Sequence, residues 1–226
     1  MLYALRQPAV LLGLALGFVA GSALRVQLVQ AVAGIPGIRR IGGRRWRIEL
    51  RRFGRSRRWL DPFGAVAAVL TGVGWGPTVE ASRGRRYVVA AAAVLAHAAL
   101  TAAGIAGFLA AGGLHGLFPF VDTAAVLHGS SSIATSTAQR VCLGFGIENL
   151  GCALLSLVPI PPLELGTALW SSLPRTPGSR RMAYHLLHEQ WGVAVLLVLL
   201  LVPLGGSQPP LLALLGAIGD PIMHAL

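Results

Sequence analysis

Lysine is absent from this 226-residue chain, and every one of its 19 cationic side chains is arginine. Acidic residues number eight, and charged residues of both signs make up 12%, about half the roughly 25% of a soluble domain. So little charge beside 54% hydrophobic residues and a mean hydropathy of +0.68 excludes one or two ordinary soluble domains. Cysteine is scarce as well. Cys142 and Cys152 stand ten residues apart in one apolar stretch, roughly 15 Å along a helix, too far to bridge. A disulfide scaffold is excluded, and both read as small packing residues.

What remains is long apolar runs and one basic block. Pro8 to Gly34 is interrupted only by Arg25 and two glutamines, and Tyr87 to Gly112 carries no formal charge across 26 residues. Val141 to Val158 holds Glu148 and Asn149 and ends at Pro159-Ile160-Pro161-Pro162; the last run is Trp191 to Gly205. Each approaches the roughly 20 residues that a spanning helix requires. The chain therefore reads as an all-α, polytopic membrane protein of one domain with four to six membrane segments. These are helices over 8–34, 87–112, 141–173 (with a proline break) and 183–205, a re-entrant or short spanning element over 60–80, an external loop over 114–139 and an interfacial segment over 209–219. The first run is followed by basic sequence rather than a small-residue cleavage site, so it reads as a retained anchor.

Ten of the arginines lie between Arg39 and Arg58. Interleaved with Trp46, Phe53 and Trp59, they could suggest nucleic-acid binding. Lying directly beside a span, they read instead as a cytoplasmic anchor facing anionic headgroups, with no nucleic-acid partner. Trp46, Ile48 and Leu50 alternate with Arg47, Glu49 and Arg51, a period of two that predicts a short β-like stretch at the surface. Arginines 83, 85, 86, 175, 180 and 181 belong on the same side, which places the N-terminus outside and the basic segment in the cytoplasm.

Intramembrane charge marks candidate sites, because a lone charge in hydrocarbon is costly and needs a partner or an aqueous cavity. Arg25, Glu148 and Glu164 qualify. His97 stands alone inside a span, where a hydrogen bond to a neighbouring helix is the simplest use of it. His185, His188 and Glu189 form H-x-x-H-E, with two rings on one helix face but no third convergent ligand. His115, Asp122 and His128 share the external loop without metal-ligand spacing.

The run from Glu148-Asn149-Leu150 to Val158-Pro159-Ile160-Pro161-Pro162-Leu163-Glu164-Leu165-Gly166 resembles the third-motif helix of the site-2 proteases, the intramembrane zinc metalloproteases. That family has an asparagine-bearing helix there, closed by P-x-P-P-L-D-G, whose aspartate binds zinc. Leu60-Asp61-Pro62-Phe63-Gly64, followed by Gly74-Trp75-Gly76-Pro77-Thr78-Val79, is similar to the family's D-P-x-G element and its G-W-x-K-P-V-P loop. Motif order extends over roughly Gly13 to Gly205.

The departures fall on the chemistry. HExxH, which supplies two zinc-binding histidines and a water-activating glutamate, occurs nowhere. Counting back without gaps from Gly34-Ile35-Pro36, which resembles the family's turn, puts Ser22, Ala23 and Val26 at its three working positions. None can replace an imidazole or accept the proton. The aspartate has become Glu164, and the family's two asparagines fall at His97 and near Ser156.

The resemblance thus implies a degenerate member, a proteolytically inactive pseudoenzyme that binds or regulates membrane partners. These are the lipid bilayer and a transmembrane helix of another protein, and no cofactor is implied. The alternative is an active zinc metalloendopeptidase with a rearranged site, its ligands drawn from Glu164, His97 and His185 or His188. A transporter is disfavoured by the lack of an inverted repeat. Arg25 lies three residues beyond Ser22, on the same helix face. It is therefore expected either to meet Glu164 where the zinc would sit or to snorkel to the interface.

Overall fold

A computed structural model describes residues 7–34, 61–77, 85–174, 176–187, 191–205 and 208–226. The Arg39–Arg58 block with its expected β-like stretch, Ile35-Pro36, Thr78-Val79, Arg83, Arg175, His188 and Glu189 lie outside the described residues, as does the Arg180 side chain. Among the described residues every regular element is helical. They are α1 (Pro8–Gly34), α2 (Pro62–Thr71), α3 (Arg86–Ala110), a 3₁₀ turn (His115–Phe120), α4 (Thr123–Leu127), α5 (Thr137–Ser156), α6 (Glu164–Ser172), α7 (Pro177–Leu187), α8 (Trp191–Leu201) and α9 (Pro210–His224).

Two of these helices, α1 and α3, are long and apolar enough to cross a membrane; the number becomes three if α7 and α8 make one bent span. The expected helix over 183–205 is instead part of that bent pair, whose axes differ by 60°. The expected 141–173 span is two helices, α5 and α6, because Pro159, Pro161 and Pro162 deny amide hydrogens to a continuing helix. The described part of the 60–80 element is helix α2 followed by residues 73–77, which have no regular secondary structure. Within the expected external loop lie the 3₁₀ turn and α4, and the segment expected over 209–219 forms the longer α9.

Helices α1, α3 and α5 form the centre. Their contacts fix relative directions. Gly13, Gly17 and Gly21 of α1 meet α5 at Val141, Glu148 and Asn149 in rising order, so the two run parallel. Helix α3 meets α5 at Gly104 against Gly146 and at His97 against Asn149, so it runs antiparallel. The glycines at every fourth position of α1 present a stripe without side chains, which lets backbones approach closely. A Cβ on Gly13 would collide with the Val141 carbonyl, and one on Gly104 would lie 2.6 Å from the Gly146 nitrogen.

Polar residues fix the ends. Ser136 and Gln139 close a capping box on α5, satisfying amides that the first helical turn leaves open. Asp61 accepts from the Phe63 and Gly64 amides at 2.9 Å each, with Pro62 in the first turn of α2. Gly72, at φ 87°, ends α2 in the left-handed region that a residue without Cβ adopts cheaply. At the start of α3, Arg85 donates to the Val32 carbonyl near the end of α1, and Arg86 to the Ser171 carbonyl near the end of α6. Two cations thereby meet the carbonyl-rich ends of two helices and gather three helix termini at one face of the bundle.

Candidate functional site

The 73–77 segment, α1, α3, α5 and the start of α6 converge on one polar cavity. Its lining includes Ser22, Arg25, Trp75, His97, Ser156 and Glu164. The proline-rich turn explains the position of Glu164. By ending α5 and restarting the chain as α6, it delivers this carboxylate to the first turn of a helix, where the amide dipoles favour negative charge.

Arg25 and Glu164 meet there. The Nε and Nη2 atoms of Arg25 both contact Glu164 Oε1, and both side chains are buried. Arg25 Nη1 also donates to the Pro77 carbonyl at 3.0 Å. One guanidinium therefore joins α1, α6 and the 73–77 segment. Snorkelling is not what this arginine does.

His97 and Asn149 form a second pair. Asn149 Nδ2 donates to the carbonyls of Gly17 (3.3 Å) and Phe145 (2.9 Å), which leaves its Oδ1 to accept from His97 Nδ1 at 3.0 Å. That orientation holds the imidazole in the tautomer with Nε2 unprotonated. Gly21 makes room for it, since a Cβ there would lie 2.6 Å from Asn149 Oδ1. Ser156 Oγ bonds back to the Cys152 carbonyl at 2.8 Å, and Val26 faces the interior without a donor atom.

The third intramembrane charge is handled differently. Glu148 is fully buried and forms no ion pair among the described residues. Its Oε1 is 3.3 Å from Cys152 Sγ, which also lies 3.4 Å from the Gly74 carbonyl; Oε2 has no protein partner among the described residues. A thiol has one hydrogen and can serve only one of those acceptors at a time. When it serves Gly74, Glu148 can bond the sulfur only by donating a proton of its own.

Other candidates take structural places. Asp122 caps α4 by accepting from the Ala125 amide at 2.8 Å, and His115 packs edge-on against Phe118. His185 lies on α7 beside Tyr184. Pro159 accepts from the Trp170 indole at 3.3 Å. Close packing reserves Gly166 for glycine against Ile160, and Gly192 for glycine against Pro161.

Among the described residues, those at the cavity do not fit a catalytic zinc. Such a site needs three protein ligands and an open position. Ser22, Ala23 and Val26 supply neither the imidazoles nor the base, and the Glu164 carboxylate already holds a guanidinium, whose charge would oppose a dication. No group of three potential ligands converges among the described residues. Sequence reasoning missed the His97–Asn149 pair and the glycine stripe. The signals were two lone polar residues in separate spans, each needing a partner, and the G-x₃-G-x₃-G spacing.

Compared with known protein families, with curated proteins and with solved structures, the chain shows no significant match.

Proposed function

We propose that this chain is a non-proteolytic, site-2 protease-like membrane protein. In this reading it spans the bilayer four to six times, with the N-terminus outside and the arginine block in the cytoplasm. It engages a transmembrane segment of a partner protein and does not cut it. The observation that carries the reading is the Arg25–Glu164 pair at the junction of α1 and α6, where the resemblance would put zinc and its activated water. An internal guanidinium balances the acidic residue there, so two costly membrane charges are offset without metal. Of the motif residues Asp61, Pro62, Gly74, Trp75, Pro77, Asn149, Pro159, Pro161, Pro162 and Gly166, Gly74 and Trp75 line the cavity, Pro77 accepts from Arg25 and Asn149 bonds His97.

Zinc content tests the proposal. Elemental analysis of detergent-purified protein should give no zinc above background, with His97→Ala and Glu164→Ala unchanged from the parent. About one zinc per chain, lost in both variants, would overturn it.

A further inference from the structure

Where α1 and α6 end and α3 begins, two guanidinium groups stand against neutral partners. Arg85 donates to the Val32 carbonyl at 3.2 Å and Arg86 to the Ser171 carbonyl, and both are half-buried. A guanidinium carries five N–H donors and a full charge, so one carbonyl leaves donors over and the charge unbalanced. Neither arginine has a carboxylate partner among the described residues. The described acids are engaged elsewhere. Asp61 caps α2, Asp122 and Asp220 accept from amides of α4, Glu164 holds Arg25, and Glu148 is enclosed in the packing of α5. The whole chain has 19 arginines to eight acids, so it cannot supply a counter-charge to each of them from within.

Next to these two groups, one side of α3 is apolar and uncovered. Tyr87, Ala91, Leu95 and Ala98 are exposed; recurring every three or four residues, they share one helix face. Val89, Ala93 and Ala96, on the other side, are packed into the bundle. That face belongs to a helix long and apolar enough to cross a membrane. On α6, Leu169 and Leu173 stand two residues either side of the Ser171 carbonyl that Arg86 holds, and they are exposed as well.

We infer that this end of α3 is a binding site for an anionic phospholipid. The phosphate lies against Arg85 and Arg86, since a guanidinium can offer two parallel N–H groups to phosphate oxygens. One acyl chain follows the face of Tyr87, Ala91 and Leu95. Tyrosine suits the level between them, where one end of a side chain is wet and the other apolar. A zwitterionic lipid brings its own cation to the same place and binds less well. An acidic soluble protein could meet the arginines but has no use for the apolar face beside them, which is why lipid is the better occupant. The inference goes beyond the partner-binding proposal and needs only that α3 crosses the membrane.

The test is photolabelling of full-length protein in phosphatidylcholine vesicles. The probes are phosphatidylglycerol and phosphatidylcholine, each with a diazirine near the carbonyl end of one acyl chain, and peptide mass spectrometry locates the adducts. In the parent, phosphatidylglycerol should label residues 87–95 about tenfold more than phosphatidylcholine does. Arg85→Gln with Arg86→Gln should bring the two probes level there. Ala91→Trp fills the exposed face and leaves both arginines in place, and it should remove most of the phosphatidylglycerol adducts. It carries the test if circular dichroism and elution show the double variant misfolded. Exposed Leu214 and Ile218 of α9 serve as the reference, labelled alike by both probes in every chain. Excess unlabelled phosphatidylglycerol should compete, and excess inorganic phosphate should not. Equal labelling of 87–95 by the two probes in the parent would overturn the site. A preference that survives loss of both arginines would overturn it too, assigning the effect to the arginine block at large. Competition by phosphate as strong as by lipid would overturn the lipid assignment in favour of a simple anion site.

Discussion

The two halves of the central three-helix unit are held by opposite chemistries. In one half, α5 meets α1 and α3 through glycine. Gly13 lies against Val141, Gly144 against Val10, and Gly104 against Gly146. In the other half, from Gly21 on, the links are side chains: His97 of α3 to Asn149 of α5, Arg25 of α1 to Glu164 of α6, and Cys152 of α5 to Gly74 of the 73–77 segment. Apolar side chains in lipid gain nothing from leaving water, so helices associate there by close packing and by polar links. This protein uses one device in each half. The first makes a dry seam, the second a cavity with cross-linked walls.

Gly13→Val should give the largest effect on that contrast, since its branched side chain meets carbonyl and amide groups of α5 that cannot rotate away. No folded chain is expected from detergent extracts by circular dichroism and size-exclusion chromatography. Arg25→Ala and Glu164→Ala should come next, each costing about 3–5 kcal/mol in thermal or denaturant unfolding, because each strands a buried charge. The double alanine variant should lose no more than either single one; additive losses would show that the two act independently. Asn149→Leu breaks the His97 bond and two carbonyl bonds, and about 1–2 kcal/mol is expected from the same assay. Adding His97→Leu should then cost little more. The smallest effect belongs outside both halves. Ser136→Ala removes one side of the α5 capping box and should cost about 1 kcal/mol.

Much of this was legible in the sequence, for identifiable reasons. The extents of α1 and α3 follow from long apolar runs, and the break between α5 and α6 follows from Pro159, Pro161 and Pro162. The meeting of Arg25 with Glu164 could be anticipated because the resemblance aligned their helices and an intramembrane charge needs a partner. The environment of Glu148 could not. It shares a helix with Glu164's neighbours in the motif, and only the packing of α1, α5 and residues 73–77 shows that a thiol, not a cation, stands against it. The bend between α7 and α8 was equally hidden, since continuous hydropathy says nothing about axis direction. The non-helical course of 73–77 was half visible: Gly72, Gly74, Gly76 and Pro77 argue against helix, but they do not say that residues 73–76 are buried.

The glycine seam also constrains how the molecule can move. Backbone resting on backbone leaves no rotamers to rearrange and no soft atoms to compress, so that half cannot widen by small adjustments. Any enlargement of the cavity must be a splaying of α1, α3 and α5 at their other ends, like the blades of shears turning on a rivet. Arg85 and Arg86, which tie α3 to the ends of α1 and α6, sit at the far end of those blades. There a small displacement corresponds to the greatest opening.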